Sequence, residues 1–185
     1  MLPMLSVKIG NLSSVLYPCL VSKHIEGVRC LIVNRVALDE DMQPIKNKYI
    51  QSVLGTTEHN GLDGVLVCND LSNINDELSE PDFVFHVFDD YKLATQPFKT
   101  RFVKIPRTLE RTEVIPHHFV AYEQALVDLN KKFTKAGYEK IIIRSVHGQY
   151  RYGASSKEQN EMMVYKENKE EIKPAISQGL QAAFA

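Results

Sequence analysis

The sequence contains no tryptophan and only three cysteines in 185 residues. Cys19, Cys30 and Cys68 are widely spaced and odd in number, with no C-x-x-C pair. That pattern excludes a disulfide framework and a cysteine zinc site, and it fits reduced, buried thiols. No apolar run approaches the ~18–20 residues of a membrane span. The opening stretch MLPMLSVKIG has no basic segment followed by a long apolar core, so no secretory leader is expected and the expected location is cytoplasmic. An excess of one charge is missing too. Lys and Arg number 22 against 23 Asp and Glu, a net charge of −1, which excludes nucleic-acid binding by overall charge and leaves only a local basic patch. No internal repeat or low-complexity tract interrupts the chain. What remains is an ordinary globular composition, 44% hydrophobic and 24% charged, at a length that suits one domain with a real core. We expect a single unit over 1–185, its core at about 15–168 and a tail at 169–185.

Periodicity and punctuation place the elements. YPCLVSKHI and GVRCLIVN read as two strands, with Gly27 at the turn or bulge between them. NKYIQSVLG, 47–55, is a short helix with a glycine past its end. GLDGVLVCND, 61–70, and FVFHVFDDY, 83–91, are strands separated by a polar connection. The basic, proline-broken stretch 92–116 has no clear element. The segment 117–137 is the strongest helix, with Phe119, Tyr122, Ala125, Leu126, Leu129 and Phe133 at helical spacing and Gly137 at its end. Strands over YEKIIIRSV and NEMMVYK follow, flanking a turn at HGQYRYG, and the tail reads as a short helix broken near Pro174. Strands and helices mix without strict alternation, which favours an α+β fold with antiparallel sheets and flanking helices. The pair His117–His118 has the residue type of a metal site. Adjacent side chains diverge and no third ligand lies nearby, so it reads as an N-terminal turn; no metal and no cofactor are expected.

Six stretches carry further information by their order. They are SKHIEGVR, RVALDEDMQPIKNKYIQ, GLDGVLV, EPDFVFHVFDDY, GYEKIIIRSVHGQYRYG and MMVYK. Together, over roughly 17–166, they resemble the nucleotidyltransferase (adenylation) domain of ATP-dependent polynucleotide ligases, in its small bacteriophage form. The resemblance implies a ligase-type fold. It also implies a cleft in which a lysine attacks the α-phosphate of ATP to form a lysine–AMP phosphoramidate.

The departures from the family pattern are as ordered as the matches. Aligned on Gly27 and Arg29, the nucleophile position holds His24, and the acid two residues later is Glu26 rather than aspartate. Lys23 lies one residue early, and one residue's shift in a strand turns a side chain to the opposite face. The glutamate of the family's L-D-G-E-L is Val65. The serine and arginine after the second strand are Asp39 and Glu40, which would repel phosphates. The first lysine of the last motif is Val164, the glycine after the motif's glutamate is Lys140, and a later basic residue is Ala154. Each lost phosphate contact is worth on the order of 10²–10³ in rate. About twenty residues follow Lys166, too few for the OB-fold domain that family ligases carry.

The resemblance therefore implies a nucleotide-shaped cleft with its chemistry altered. Its expected lining is Lys23, His24, Ile25, Arg29, Phe88, Glu139, Arg144 and Lys166, with no catalytic residue among them. Phe88 would offer an aromatic face to a base or serve as core. Arg29 and Lys166 would meet phosphates or remain solvated. Glu139 is expected to pair with Arg144 or Lys140. Three functions fit. The first is a pseudoenzyme that sequesters a nucleotide-type small molecule, such as a phage sponge for an immune signal. The second is a protein–protein inhibitor of a host protein, and the third is a ligase or nucleotidyltransferase with unusual chemistry, histidine being able to form a phosphoramidate. Nucleic acid and membrane are not expected partners; a second copy of the chain is open.

Overall fold

Two sheets each present one apolar face to a helix and keep the other for a shared cleft. The computed structural model describes residues 2–155 and 161–167. In chain order the strands are β1 (Met4–Leu5), β2 (Val7–Ile9), β3 (Cys19–Lys23), β4 (Val28–Val33), β5 (Val36–Leu38), β6 (Leu62–Cys68), β7 (Phe83–Asp90), β8 (Thr112–Val114), β9 (His118–Val120), β10 (Lys140–Ser145), β11 (Gly153–Ala154) and β12 (Met163–Lys166). The helices are α1 (Lys48–Leu54), α2 (Phe98–Lys104) and α3 (Glu123–Lys135). The first large sheet has the order β2-β12-β10-β3-β9, the second β5-β4-β6-β7-β8, and β1 pairs with β11 apart from both.

Alternation along the strands sorts the side chains. In the first sheet Val21, Ile141, Ile143 and Met163 join Leu126 of α3 in one buried cluster. In the second sheet Cys30, Ile32, Leu66, Phe83, Phe85 and Val87 pack with Ile50, Val53 and Leu54 of α1. The residues between them, Ser22, Ile142 and Arg144 on one side and Arg29, Val65 and Phe88 on the other, point into the cleft. One irregularity matters there. Asp63 pairs with Asp89 but Gly64 pairs with Val87, so β7 carries an extra residue at Phe88. Such a bulge breaks the alternation and lets consecutive residues serve the same side. Gly64 is required at that point, because a Cβ would lie 2.3 Å from the His86 carbonyl oxygen.

The α+β expectation holds, with one difference in strand direction. Most pairs are antiparallel, but β2 with β12, β7 with β8 and β1 with β11 run parallel. The helix read from 117 begins instead at Glu123. His118–Val120 forms an edge strand on β3, with Cys19 opposite Val120, and Phe119 and Tyr122 are 61% and 62% exposed. The unassigned stretch 92–116 contains α2 and β8. Gly137, with φ of +91°, follows the end of α3 in the left-handed region as a helix-ending glycine does. The tail helix near Pro174 lies outside the described residues. Among the described residues no helix is long and apolar enough to cross a membrane.

α1 starts where expected, and Asn47 does more than cap it. Its Oδ1 accepts from the Ile50 N–H at 2.8 Å, while its Nδ2 lies 2.6–3.0 Å from the carbonyl oxygens of Asn73, Asp76 and Ser79. Asn47 is completely buried. Loss of a cap costs about 1 kcal/mol, and stranding a buried acceptor costs about 1–3 kcal/mol more. Asn47→Ala is therefore expected to lower stability by about 2–4 kcal/mol in urea unfolding. Asn47→Asp keeps the cap acceptor but sets a buried carboxylate oxygen against three carbonyl oxygens, so it should cost at least as much.

Candidate functional site: a cationic cleft between the sheets

The cleft has an inner and an outer part. The inner cavity, about 90 Å³, lies between β3 and β10 on one side and β4, β6 and β7 on the other. The outer depression, about 380 Å³, is bordered by Glu26, His86, Tyr138, Glu139 and Lys140. Lys23, His24 and Ile25 line both. Gly27 shapes this junction: a Cβ there would sit 2.4 Å from the Leu66 carbonyl oxygen, so the turn after His24 can approach β6 only as glycine.

His24 leaves the end of β3 with its backbone N–H donated to the Lys140 carbonyl at 3.0 Å. Its Nδ1 is 3.4 Å from Glu26 Oε1. Burial pulls its pKa below the usual imidazole value, with Glu26 opposing in part, so the ring is neutral at neutral pH. Lys23 sits opposite Ile141 in the strand register. Its Nζ donates to the Tyr138 hydroxyl at 2.7 Å and lies 4.6 Å from the centre of that ring. The amine is thus held on the Tyr138 side of β3, one face away from Ser22 and Ile142, as the alternation argument expects.

The deeper cations are built into the fold. Arg29 Nε and Nη2 donate to the two oxygens of Asp63 at 2.7 and 2.8 Å, and Nη2 also reaches the Met4 carbonyl at 3.0 Å. Asp63 accepts a further bond, 2.6 Å, from the Tyr150 hydroxyl. Arg144 Nη1 donates to Asp89 at 2.5 Å, and Arg101 takes both oxygens of the same carboxylate at 2.7 and 3.0 Å. Burial alone would push the Asp89 carboxyl up. Arg144 and Arg101 outweigh it and hold it below the usual range. Phe88 lies under two guanidinium groups, Arg29 at 4.7 Å and Arg144 at 5.4 Å from the ring centre.

Of the remaining expected residues, Glu139 borders the outer depression and Lys166 reaches it from β12. Glu139 Oε2 accepts from Lys166 Nζ at 2.8 Å, both side chains more than half exposed. The expected pairing of Glu139 with Arg144 or Lys140 is corrected here. Arg144 is committed inside, and Lys140 Nζ donates to Glu26 at 2.7 Å. Asp39 lies apart from the cavity and organises a turn by accepting from the Asp41 and Gln43 N–H groups. Two residues were missed by sequence reading. Tyr150, within the HGQYRYG turn and given no role by the sequence, is 5% exposed and closes the Asp63 cluster. His117, read as a helix-start turn, lines the inner cavity. Among the described residues, no group of three His, Cys, Asp or Glu side chains is placed to hold a metal ion.

The path of the backbone around this cleft matches solved structures. Chlorella virus DNA ligase–adenylate superposes with a TM-score of 0.78 at 18% identity, over 89% of this chain and 67% of that one. The chain has the ligase nucleotidyltransferase fold. A minimal-scaffold Lig E DNA ligase matches this ligase-type domain with a TM-score of 0.68 at 16% identity, covering 90% of this chain and 69% of that one. Mycobacterial DNA ligase D, complexed with ATP and MES, gives 0.65 at 14% identity over 89% of this chain and 60% of that one. No protein-family model matches the sequence, and no curated protein matches it. The likeness is thus one of fold, carried at low identity.

Proposed function

We propose that this ligase-type domain binds a nucleotide-type small molecule in the cleft and releases it unchanged. The observation that carries this reading is the charge of the inner cavity. Among the described residues lining it, the charged ones are Lys23, Arg29 and Arg144; Asp63 and Asp89 behind the wall offset the two arginines, and the positive excess comes from Arg101, which shares Asp89, and from Lys23 beside Tyr138. A residual positive charge around a partly desolvated cleft favours an anionic ligand. Val65 stands where an acid would hold a ribose or metal, Val164 where a lysine would meet the α-phosphate, and His24 where a lysine would attack. Holding a nucleotide without consuming it is what sequestration needs, and an immune signalling nucleotide bound by a phage-encoded sponge is the biological form of this proposal.

One observation favours a second reading. The His24 ring is neutral and presents Nδ1 to Glu26, an arrangement that would keep the proton on Nδ1 and leave Nε2 as a nucleophile. Attack of Nε2 on the α-phosphate of ATP would form an N–P bond and expel pyrophosphate, giving a nucleotidyl-histidine.

Incubation with labelled ATP, GTP or NAD, followed by mass spectrometry of the intact protein, separates the two. We expect no covalent adduct. We also expect stabilisation by some member of a nucleotide panel, about 2.7 kcal/mol at 100 times its dissociation constant. A stable adduct that His24→Ala abolishes would overturn the non-covalent reading in favour of the second. If neither adduct nor stabilisation is seen with any nucleotide, the cleft is not a nucleotide site, and an inhibitor acting through the protein's surface takes its place.

A further inference from the structure

Two departures from the ligase pattern meet at the outer depression. Glu26 stands where that pattern has aspartate, and Lys140 where it has glycine. Lys140 Nζ donates to Glu26 Oε1 at 2.7 Å, and both residues line the depression. Glycine would offer no partner, and glutamate reaches one methylene further than aspartate. The backbone does not need this pair. The His24 N–H already donates to the Lys140 carbonyl at 3.0 Å and ties the same two segments together. Exposed ion pairs also add little to stability.

The contact does set the charge of the depression. The bond from Lys140 holds the Glu26 carboxyl below the usual range, so it is ionised at neutral pH. The same Glu26 oxygen lies 3.4 Å from His24 Nδ1. One carboxylate thus covers two groups that an anion entering the depression would meet. Of the lining residues, Lys23 and Lys140 are set against Glu26 and Glu139, and burial keeps His24 and His86 neutral at neutral pH. Charge is balanced while Glu26 stays in place. Lys23 donates to the uncharged Tyr138 hydroxyl, and Glu139 accepts from Lys166. Lys140 is therefore the lining cation whose charge an exposed acid covers. The two halves of the pair differ in freedom: the Glu26 side chain is 75% exposed and that of Lys140 33%.

We infer that Glu26 is an internal stand-in for a ligand's phosphate: an anionic ligand displaces it from Lys140, and Lys140 takes up the phosphate group in its place. This rests on the nucleotide-binding reading above and adds to it a binding residue and a built-in competitor. Exposure gives the direction of the exchange. Glu26 can turn into solvent, where a carboxylate is well hydrated, while Lys140 remains against the wall at the start of β10. Its ammonium has three donors and can serve a phosphate oxygen as readily as a carboxylate. The inner cavity, about 90 Å³, is well short of the ~300 Å³ at which small-molecule sites begin, so the rest of such a ligand must extend over the outer depression.

The test measures binding of two probes at one fixed, low ionic strength. One is α,β-methylene-ATP, whose α–β bridge is not broken by attack at the α-phosphorus. The other is inorganic tripolyphosphate. The chains are the wild type, Glu26→Gln, Lys140→Gln and the double variant, all expected to fold because the pair is exposed. Glu26→Gln removes the competitor and should tighten both probes about tenfold. Lys140→Gln should weaken both by a similar factor. The double variant should bind as Lys140→Gln does, because without Lys140 the acid has nothing to withhold. If the gain from Glu26→Gln persists in the double variant, the acid acts by general repulsion and the inference falls. If Glu26→Gln binds no tighter than the wild type, the inference falls as well, while binding of α,β-methylene-ATP by the wild type leaves the nucleotide reading standing. If both probes follow the expected pattern but α,β-methylene-ATP binds no tighter than tripolyphosphate, the exchange stands and the nucleotide reading falls. If no chain binds either probe, both fall.

Discussion

Asp89→Ala is expected to lower stability by about 3–5 kcal/mol. The carboxylate is fully buried and shared by Arg101 and Arg144, each 1% exposed. Removing it leaves two guanidinium groups without a counter-charge in the interior, and breaking a buried pair from one side costs about that much. Arg101 keeps bonds to the Gln96 and Gly148 carbonyls, but carbonyls do not neutralise it. Asp89→Asn retains the shape and part of the hydrogen bonding, so it should destabilise less while still leaving the charges unbalanced. The contrast is Arg111→Ala, whose partner Asp82 is 83% exposed. Exposed pairs contribute about 0–1 kcal/mol. Urea unfolding followed by circular dichroism measures all three, and a loss below about 1 kcal/mol in Asp89→Ala would show that the arginines find other partners.

Acid should destabilise the protein well before its carboxylates titrate. The His117 pKa is held at about 3 in the folded chain against an ordinary value of 6.5, first by burial and then by Arg144. Below pH 6.5 the unfolded chain binds a proton that the folded chain refuses, so unfolding is favoured as pH falls. The loss accrues between pH 6.5 and about 3, at up to about 1.4 kcal/mol per pH unit, and stops once the folded form also protonates. Burial shifts His24, His59 and His86 the same way, so their contributions add. Urea midpoints measured from pH 8 to pH 4 should fall steadily in the wild type and fall less steeply in His117→Phe. Equal slopes in the two proteins would show that the folded state protonates His117 at ordinary pH.

The fold was legible because six short motifs keep their order over most of the chain, even though each is weak alone. What stayed hidden has a physical cause in each instance. The stretch 117–122 carries apolar residues at helical spacing, yet only Val120 faces the core, and pairing with β3 converts the stretch to a strand. Parallel pairing of β2 with β12 joins segments more than 150 residues apart, beyond any local signal. Tyr150 sits in a run of basic and aromatic residues that looks like surface, and only the buried Asp63 shows why it turns inward. Among the candidate site residues the motifs brought Lys23, His24, Ile25, Arg29, Phe88 and Arg144 to one cavity. They were silent on His117, because an isolated His-His pair gives no clue that one ring is pinned between two phenylalanines. They gave Arg29 but not its partner, the Asp63 carboxylate 34 residues away.

The extra residue in β7 has a consequence for anyone who would reshape this cleft. It sets the cavity wall, Phe88, directly beside the anchor of the deepest ion cluster, Asp89. A deletion made there to widen the pocket would rotate the anchor away from both arginines, and a gain in space would be answered by collapse. Val65 on the neighbouring strand faces the same cavity, and no ion pair runs through it. Truncation from that side is the route by which the cleft can be re-sized, by an engineer or by natural drift, while the scaffold stays standing.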